Sequence, residues 1–344
     1  MAKPKKAFVT GASGYIAKHI VQQLLDAGWS VCGSVRSTQK ADQIRKAMQA
    51  CVQNPETLDQ RLSFVELDLS KDAGWDDALK GMDVLLHTAS PFPMGHPKDE
   101  NDLIRPAVDG AMRALNAAHN AGVTRVVMTS SSVAILSCEL AEGQFAYTEE
   151  NWTDINHPTA TPYIKSKTLA EQAAWDFVSK NPEMQLTCIN PVFVQGAPLD
   201  KVMGTSIKVI KRILDQKDPA LPDLFLPTVD VRDVALMHVK ALDTPASIGK
   251  RFIAGQQGLS FYDFAVTLKE AFPSRKIITR IAPHWLMKLM GLFDPAIRGI
   301  IPQLGVRQKI SAAKAEEILG IKFRDGNQAV RDAASFLIEN DMVK

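Results

Sequence analysis

The first part of the chain alternates short apolar runs with longer amphipathic stretches. Residues 6–9 form an apolar run typical of a strand, and apolar positions 16, 20, 21, 24 and 25 have the spacing of one helix face. The same alternation predicts further strands at 29–36, 62–69, 83–90, 125–131 and 186–191, and helices at 39–52, 75–80, 101–121 and from about 162. We therefore predict an α/β fold, a Rossmann-type doubly wound parallel sheet.

Beyond about Val194 this rhythm changes. Gly196-Ala197-Pro198 interrupts the pattern, and the later elements are mostly helices with short strands such as 251–254. We predict a nucleotide-binding domain over 1–195, which carries the catalytic residues, and a smaller, mostly helical substrate lobe over 196–344. No flexible linker separates the two domains, and later segments of the chain could return to the first domain. For the unusually apolar segment 285–293, core packing or a subunit contact is favoured over a wall of the substrate site.

The turn between the first strand and the first helix contains two glycines and an alanine at a characteristic spacing. Gly11 permits a tight turn, Gly14 lets the backbone approach a pyrophosphate, and the small Ala17 lets helix and strand pack closely. The N–H groups and the positive dipole of the helix start then face the phosphates. An ordinary strand-to-helix turn is the alternative. The turn residues expected to contact a dinucleotide are Gly11, Ser13, Gly14, Tyr15 and Ile16.

The end of the second predicted strand bears on cofactor selectivity. An NAD site usually has an acidic residue there, but this chain has Arg36, 22 residues after Gly14. A guanidinium pairs well with a 2′-phosphate, which predicts NADP(H), with Lys40 as a second candidate contact. At the end of the third strand, Asp68 and Leu69 are expected beside the adenine, although Asp68 could equally cap the segment that follows.

A tyrosine and a lysine lie four residues apart in the helix that begins near residue 162. Pro162 suits the first helical position, so Tyr163 and Lys167 share one helix face. An ammonium beside a phenol favours the phenolate and lowers the tyrosine pKa toward the working pH. The serine-rich end of the preceding strand, which includes Ser131, lies where a parallel sheet binds its ligands. An ordinary helix surface and a polar turn are the structural alternatives.

Composition narrows the choice of partners. A formal net charge of +2 is too small to indicate nucleic acid, and the four cysteines show no paired spacing that would suggest disulfides or zinc. No apolar run approaches 18 residues, and the first strand begins almost at once, which leaves no room for a signal peptide. We expect a cytoplasmic protein with no metal site and no membrane or nucleic-acid partner.

Taken together, these motifs resemble the extended short-chain dehydrogenase/reductases, and within them the dihydroflavonol reductase-like or aldehyde/ketone reductase branch. The similarity covers residues 7 to about 340. Its motifs are Thr10-Gly11-x-x-Gly14-x-x-Ala17, Asp68-Leu69, His87-Thr88-Ala89-Ser90-Pro91, Pro106-Ala107-Val108-Asp109-Gly110, Thr129-Ser130-Ser131, Tyr163-x-x-x-Lys167 through Glu171, Asn190-Pro191 and Val229-Asp230-Val231-Arg232-Asp233-Val234-Ala235. Two departures are mild: Ala17 replaces a frequent glycine, and Ser130 or Ser132 could substitute for Ser131.

The resemblance implies a catalytic triad of Ser131, Tyr163 and Lys167, with Arg36 marking NADP(H) preference. Further cofactor contacts that it implies are Thr88, Ala89, Ser90, Tyr163, Lys167, Pro191 and Val194. The substrate pocket is expected to include Phe92, Val133 and Phe193.

We accordingly expect NADPH-dependent reduction of an aldehyde or ketone, which is reversible. A nucleotide-sugar epimerase or dehydratase and a hydroxysteroid-type dehydrogenase are the alternatives, and a non-catalytic NADP-binding regulator is a remote one. Extended relatives often dimerise through two helices beside the active-site strands. In this chain the corresponding helices begin near Asn101 and Pro162, and a homodimer through them is a further hypothesis.

Overall fold

The computed structural model of the chain describes residues 5–90, 99–255 and 257–344. Its strands are β1 Lys6–Val9, β2 Ser30–Val35, β3 Leu62–Glu66, β4 Val84–His87, β5 Arg125–Thr129, β6 Gln185–Pro191, β7 Phe193–Gln195, β8 Phe225–Asp230, β9 Lys250–Ala254 and β10 Gln257–Ser260. Its helices are α1 Tyr15–Asp26, α2 Thr38–Cys51, α3 Leu58–Arg61, α4 Trp75–Leu79, α5 Asn101–Asn120, α6 Pro162–Lys180, α7 Ile207–Leu214, α8 Val231–Asp243, α9 Phe261–Ala271, α10 His284–Met290, α11 Pro295–Ile300, α12 Ala313–Leu319 and α13 Gly326–Glu339. Among these residues, no helix is long and apolar enough to cross a membrane.

The main sheet has seven strands in the order β3-β2-β1-β4-β5-β6-β9, and every neighbouring pair is parallel. The strand order reverses between β1 and β4, which makes the carboxyl ends of these two strands the switch point where such sheets bind ligands. Apolar clusters cover both faces of the sheet, so central strands such as β4 are buried throughout. The predicted doubly wound fold is confirmed.

Several predicted strands end earlier than expected. β3 stops at Glu66, β4 at His87 and β5 at Thr129. Their hydrogen-bonded ladders end there, and the polar residues that follow lie in loops at the carboxyl edge of the sheet. The candidate site residues at 68–69, 88–90 and 131 therefore belong to these loops rather than to strands.

The second half of the chain does not form a separate lobe throughout. Residues 251–254, expected in the substrate lobe, lie in β9, which pairs with β6 at the edge of the main sheet, with Phe252 opposite Ile189. α8 packs against α1, and β10-β8-β7 form a separate three-stranded sheet. The chain thus crosses back after residue 195, and the boundary between 195 and 196 stays a prediction. Sequence could not reveal this pairing because it joins segments far apart in the chain.

Candidate active site

The glycine turn follows β1 at the switch point. Gly11 has a φ of +62°, and a side chain at this position would place its Cβ 2.9 Å from the Cβ of Ala89, so both conformation and space require glycine. The Gly14 N–H donates to the Gly11 carbonyl at 2.8 Å, and α1 begins at the next residue. The first N–H groups of a helix have no acceptor within it, which leaves them free to bind phosphate oxygens.

Ser34 on β2 holds this turn in place. Its Oγ accepts the Gly11 N–H at 2.9 Å, and its carbonyl accepts the Ala12 N–H at 2.9 Å. Only the strand pairing of β1 with β2 brings Ser34 beneath the turn, so no sequence signal marked this role.

A cavity of about 360 Å³ opens beside the turn. The predicted residues that line it are Gly11, Ser13, Gly14, Arg36, Asp68, Leu69, Thr88, Ala89 and Ser90, and Trp75 and Pro106 join them without having been predicted. Arg36 is exposed at this cavity. A glycine cradle, helix N–H groups and a guanidinium together fit the phosphates and ribose of a dinucleotide.

Asp68 also has the structural role that the sequence left open. Its Oδ1 accepts the Ser70 N–H at 2.9 Å and the Ser70 hydroxyl at 2.7 Å. These bonds lower the pKa of Asp68, and the positive charges of Lys71 and Arg36 lower it further. The carboxylate therefore shapes the loop after β3 and lies within electrostatic reach of Arg36.

Seven predicted cofactor residues do not line this cavity: Tyr163 and Pro191 line a second cavity, Lys167 lines neither, and the other four are Tyr15, Ile16, Lys40 and Val194. The Tyr15 side chain is buried, and its hydroxyl donates to the Gly196 carbonyl at 2.7 Å, so only its backbone serves the turn. Ile16 packs against the core, and Val194 is buried in it, because both belong to the apolar face of their elements. Lys40 Nζ donates to Gln43 on its own helix at 3.3 Å.

The Tyr163 helix begins as predicted. Pro162 is its first residue, and the Thr161 hydroxyl accepts the Ile164 N–H at 3.4 Å. Tyr163 and Ser131 line one cavity, and the Ser131 hydroxyl lies close enough to the phenol to act on its pKa, which brings the two candidate catalytic hydroxyls together. By contrast, Ser130 donates to the buried carboxylate of Glu171 at 2.5 Å and is turned away from Tyr163. The structure therefore favours Ser131 over Ser130, while Ser132 is buried at the cavity wall.

Burial, rather than a neighbouring charge, controls the two titrating groups of the site. It raises the pKa of the Tyr163 phenol, and the Ser131 hydroxyl opposes the increase. It lowers the pKa of Lys167 to about 8. The expected lowering of the Tyr163 pKa by the Lys167 ammonium is thus absent from the chain itself, because removal from water outweighs it.

A buried histidine lies near Lys167. The Thr10 hydroxyl accepts the N–H groups of Thr88 and Ala89, each at 3.0 Å, which uses both of its lone pairs. Its proton must then point to His87 Nδ1, also at 3.0 Å. Burial and the charge of Lys167 lower the pKa of His87 to about 4, so the ring is neutral and carries its proton on Nε2. The sequence indicated the motif that begins at His87, but it did not indicate that His87 is a neutral hydrogen-bond acceptor for Thr10.

A second cavity, of about 680 Å³, opens over Ser131 and Tyr163. The predicted residues Val133, Pro191 and Phe193 line it, and Phe92 lies outside the described residues. The rest of its wall comes from residues 136–140, which follow the serine loop, and from segments distant in the chain that include Tyr147, Phe225, Leu226, Val306 and Gln308. Its described lining contains no lysine or arginine. Within the described residues, no cluster of three or more His, Cys, Asp or Glu side chains could hold a metal.

Residues 7–255 match the NAD dependent epimerase/dehydratase family. The chain belongs to this family. It is 33% identical over 357 residues to a putative NADPH-dependent methylglyoxal reductase, GRP2, of Candida albicans, covering 98% of this chain and 100% of that one. It is 30% identical over 355 residues to the NADPH-dependent methylglyoxal reductase GRE2 of Saccharomyces cerevisiae, covering 96% and 98%.

A solved family structure gives the same outline. The yeast methylglyoxal/isovaleraldehyde reductase Gre2 complexed with NADPH has a TM-score of 0.80 at 30% identity, covering 98% of this chain and 100% of that one. The resemblance to extended short-chain dehydrogenase/reductases is therefore confirmed.

One buried network in this family member was not predicted. Glu171, on the Tyr163 helix, accepts hydrogen bonds from Ser130, from Asn190 Nδ2 at 2.7 Å and from Arg251 Nε at 2.6 Å. Asn190 Nδ2 also donates to the Ser131 carbonyl at 3.1 Å. The network joins α6 to the ends of β5 and β6, so it fixes the serine loop relative to the tyrosine helix. The available sequence signal was the spacing of four residues from Lys167 to Glu171, which places both residues on the same face of the helix.

Proposed function

We propose that this protein reduces an aldehyde or ketone to an alcohol with NADPH, in a reversible reaction. The observation that carries the proposal is that Ser131 and Tyr163 line the second cavity at the carboxyl edge of the sheet, while the glycine turn and Arg36 line the first cavity at the same edge. The NADPH-dependent reductases among its relatives support the same reaction class.

The residues of the first cavity, together with Lys167 on α6, would hold the cofactor. The N–H groups of the turn would bind the pyrophosphate, Arg36 the 2′-phosphate, and Lys167 the nicotinamide ribose. When bound, the reduced nicotinamide supplies the hydride. The chain's own part is to fix positions and to handle the proton.

Tyr163 would donate that proton. Its O–H bond breaks as the carbonyl oxygen of the substrate gains a proton and becomes the alcohol hydroxyl, while the Ser131 hydroxyl holds this oxygen. Since burial raises the pKa of Tyr163, the phenol is neutral at physiological pH and ready to donate. In alcohol oxidation the same residue must act as a base, which its raised pKa opposes. Near neutral pH the residue is therefore in the protonation state that reduction requires, and oxidation should need a higher pH.

The lining of the second cavity distinguishes this proposal from a nucleotide-sugar epimerase or dehydratase. Such an enzyme must bind a substrate diphosphate, yet the described lining offers no lysine or arginine. Apolar residues such as Val133, Phe193 and Phe225 suit a less polar carbonyl compound, which leaves a hydroxysteroid-type dehydrogenase as a variant of the same chemistry. A regulator without catalysis would have no use for the neighbouring Ser131 and Tyr163 hydroxyls.

A panel of carbonyl compounds tests the proposal. NADPH absorbance is followed with methylglyoxal, linear and branched aldehydes, aromatic aldehydes and diketones, and each compound is repeated with NADH. We expect faster turnover with NADPH on at least one class. If no compound consumes NADPH while the protein epimerises a nucleotide sugar, the proposal is wrong.

We also propose that two copies pair through α5 and α6 and that the protein is cytoplasmic without a nucleic-acid partner. The support is limited to position: α5 and α6 pack side by side over the main sheet, with buried faces toward it. Sedimentation velocity at micromolar concentration is the test, and a particle with the mass of one chain would reject the dimer.

A further inference from the structure

Helix α10 is apolar on two opposite faces. Its inward face, with Leu286, Met287 and Met290, lines a cavity of about 410 Å³ in the second half of the chain. Its outward face carries Trp285 and Leu289, which are 68% and 49% exposed. The turn after it adds Leu292 and Phe293, 65% and 83% exposed. Trp285 and Leu289 have the i, i+4 spacing of one helix face, and Leu292 and Phe293 lie in the turn directly after α10.

We call Trp285, Leu289, Leu292 and Phe293 the outer ridge. Contiguous exposed apolar side chains of this size usually mark a binding surface. Segment 285–293 was expected to serve core packing or a subunit contact, or to form a wall of the substrate site. The inward face does pack against the rest of the chain. The outer ridge, by contrast, is about half or more exposed at each of its four side chains, so most of its apolar surface is left uncovered by the described residues.

The charge of the surrounding segment indicates what kind of partner would cover the outer ridge. Residues 275–309 contain seven lysines and arginines and one acidic residue, Asp294, whereas the whole chain has a net charge of only +2. Lys288 is exposed between the ridge residues on α10. Arg298 donates to the carbonyls of Gly291 and Leu292 at 2.8 and 2.9 Å, which places its guanidinium beside the ridge.

Some of the nearby charge is neutralised. Asp223 pairs with Arg307 at 2.6 Å and with His284 at 3.1 Å, and Asp218 pairs with Arg212. In the part of the chain that the structure describes, neither Lys288 nor Arg298 is in an ion pair with a carboxylate. The surface therefore combines exposed tryptophan, leucine and phenylalanine with cations that are not neutralised by the chain.

We infer that the outer ridge docks on an anionic phospholipid bilayer, with Trp285 and Phe293 in the interface and Lys288 and Arg298 at the headgroups. This pattern of apolar and basic residues is the one that binds interfaces without spanning them. A second copy fits less well, because a twofold interface would place this basic surface against itself. The inference revises the expectation of no membrane partner, which considered only spanning and targeting segments.

The position of the ridge agrees with a lipid surface. The chain continues from α10 through α11 to Pro302, Gln303 and Val306, which line the cavity over Tyr163. The Ile301 side chain lies against Gly291 at the end of α10, next to Pro302 in the cavity wall, so a bilayer at the ridge would lie near that wall. An apolar carbonyl compound dissolved in the bilayer would then have a short path to the site.

Vesicle flotation tests the docking without using enzyme activity. Wild-type protein is mixed with vesicles of phosphatidylcholine alone or with a quarter phosphatidylserine, and bound protein rises with the vesicles while aggregates do not. We expect flotation only with the anionic vesicles and its loss in molar salt, where charges are screened within about 3 Å. Lys288→Glu should weaken binding about tenfold.

The double variant Leu292→Ser/Phe293→Ser should abolish flotation, and both side chains are exposed enough for the fold to persist, which thermal unfolding verifies. Phe145→Ser is the matched control, since Phe145 is 84% exposed far from α10 in the chain. The inference is overturned if wild-type protein does not float with anionic vesicles or if the double variant floats as well as wild type. It is also overturned if the double variant instead converts a dimer to single chains in sedimentation velocity.

Discussion

Glu171 and Arg251 form a buried ion pair beneath the serine loop that follows β5, with Arg251 Nε donating to Glu171 Oε1 at 2.6 Å. Arg251 also lies over the Trp152 ring, 3.5 Å from its centroid, and donates to the backbone carbonyls of Glu149 and Asn151. One partner belongs to the Tyr163 helix and the other to β9. The last strand of the main sheet therefore supports the helix that carries the proposed proton donor.

Breaking this pair should destabilise the fold strongly. Glu171→Gln leaves the Arg251 guanidinium buried without a carboxylate, so the free energy of unfolding should fall by about 3–5 kcal/mol. Urea unfolding followed by circular dichroism measures the loss. Lys165→Met is the matched control on the same helix, because the Lys165–Glu100 pair is partly exposed and should be worth less than about 1 kcal/mol. Equal losses in the two variants would show that the Glu171 network is not special.

Cofactor selectivity should depend on Arg36. Arg36→Ala removes a charge-assisted contact with the 2′-phosphate, so NADPH affinity should fall about 10- to 150-fold while NADH affinity hardly changes. Fluorescence titration with both cofactors measures the difference. Lys40→Ala should have a much smaller effect, since Lys40 Nζ binds Gln43 in the structure. Equal affinity of the wild-type protein for NADPH and NADH would contradict the assignment.

The pH dependence of the two directions should be opposite. Burial lowers the pKa of Lys167 to about 8, so its positive charge is present below that pH and lost above it. Tyr163 must keep its proton for reduction and lose it for oxidation, and burial raises its pKa. The kcat/KM for carbonyl reduction should therefore decline above about pH 8, whereas that for alcohol oxidation should rise with pH through Tyr163 ionisation. A reduction rate that increases steadily from pH 7 to pH 10 would be inconsistent with Tyr163 as the acid.

The elements that sequence could predict are those with strong local signals. Gly11 and Gly14 between an apolar run and an amphipathic helix indicated the turn, and Thr161-Pro162 marked the start of the Tyr163 helix. The ends of the strands were harder to predict from sequence. The end of β3 before Asp68, for example, depends on pairing with β2 and not on the residue types themselves.

The parts that sequence could not predict depend on contacts between distant segments. Ser34 reaches Gly11 only through strand pairing, and Arg251 reaches Glu171 only because β9 joins the main sheet. Phe225 and Val306 come to the second cavity from the far half of the chain, with no motif to mark them. Tyr15 fits the turn pattern, yet its side chain is drawn into the core by the Gly196 carbonyl.

The central claim is that Tyr163 donates the proton to the carbonyl oxygen, and Tyr163→Phe tests it most directly. The substitution removes one hydroxyl and keeps the packing of the ring. NADPH-dependent turnover of the best carbonyl substrate is measured beside NADPH affinity, with Lys167→Met in parallel. We predict that Tyr163→Phe lowers turnover by about 10²- to 10⁴-fold with NADPH affinity nearly unchanged, and that Lys167→Met lowers both. A Tyr163→Phe protein that keeps most of its turnover would contradict the mechanism.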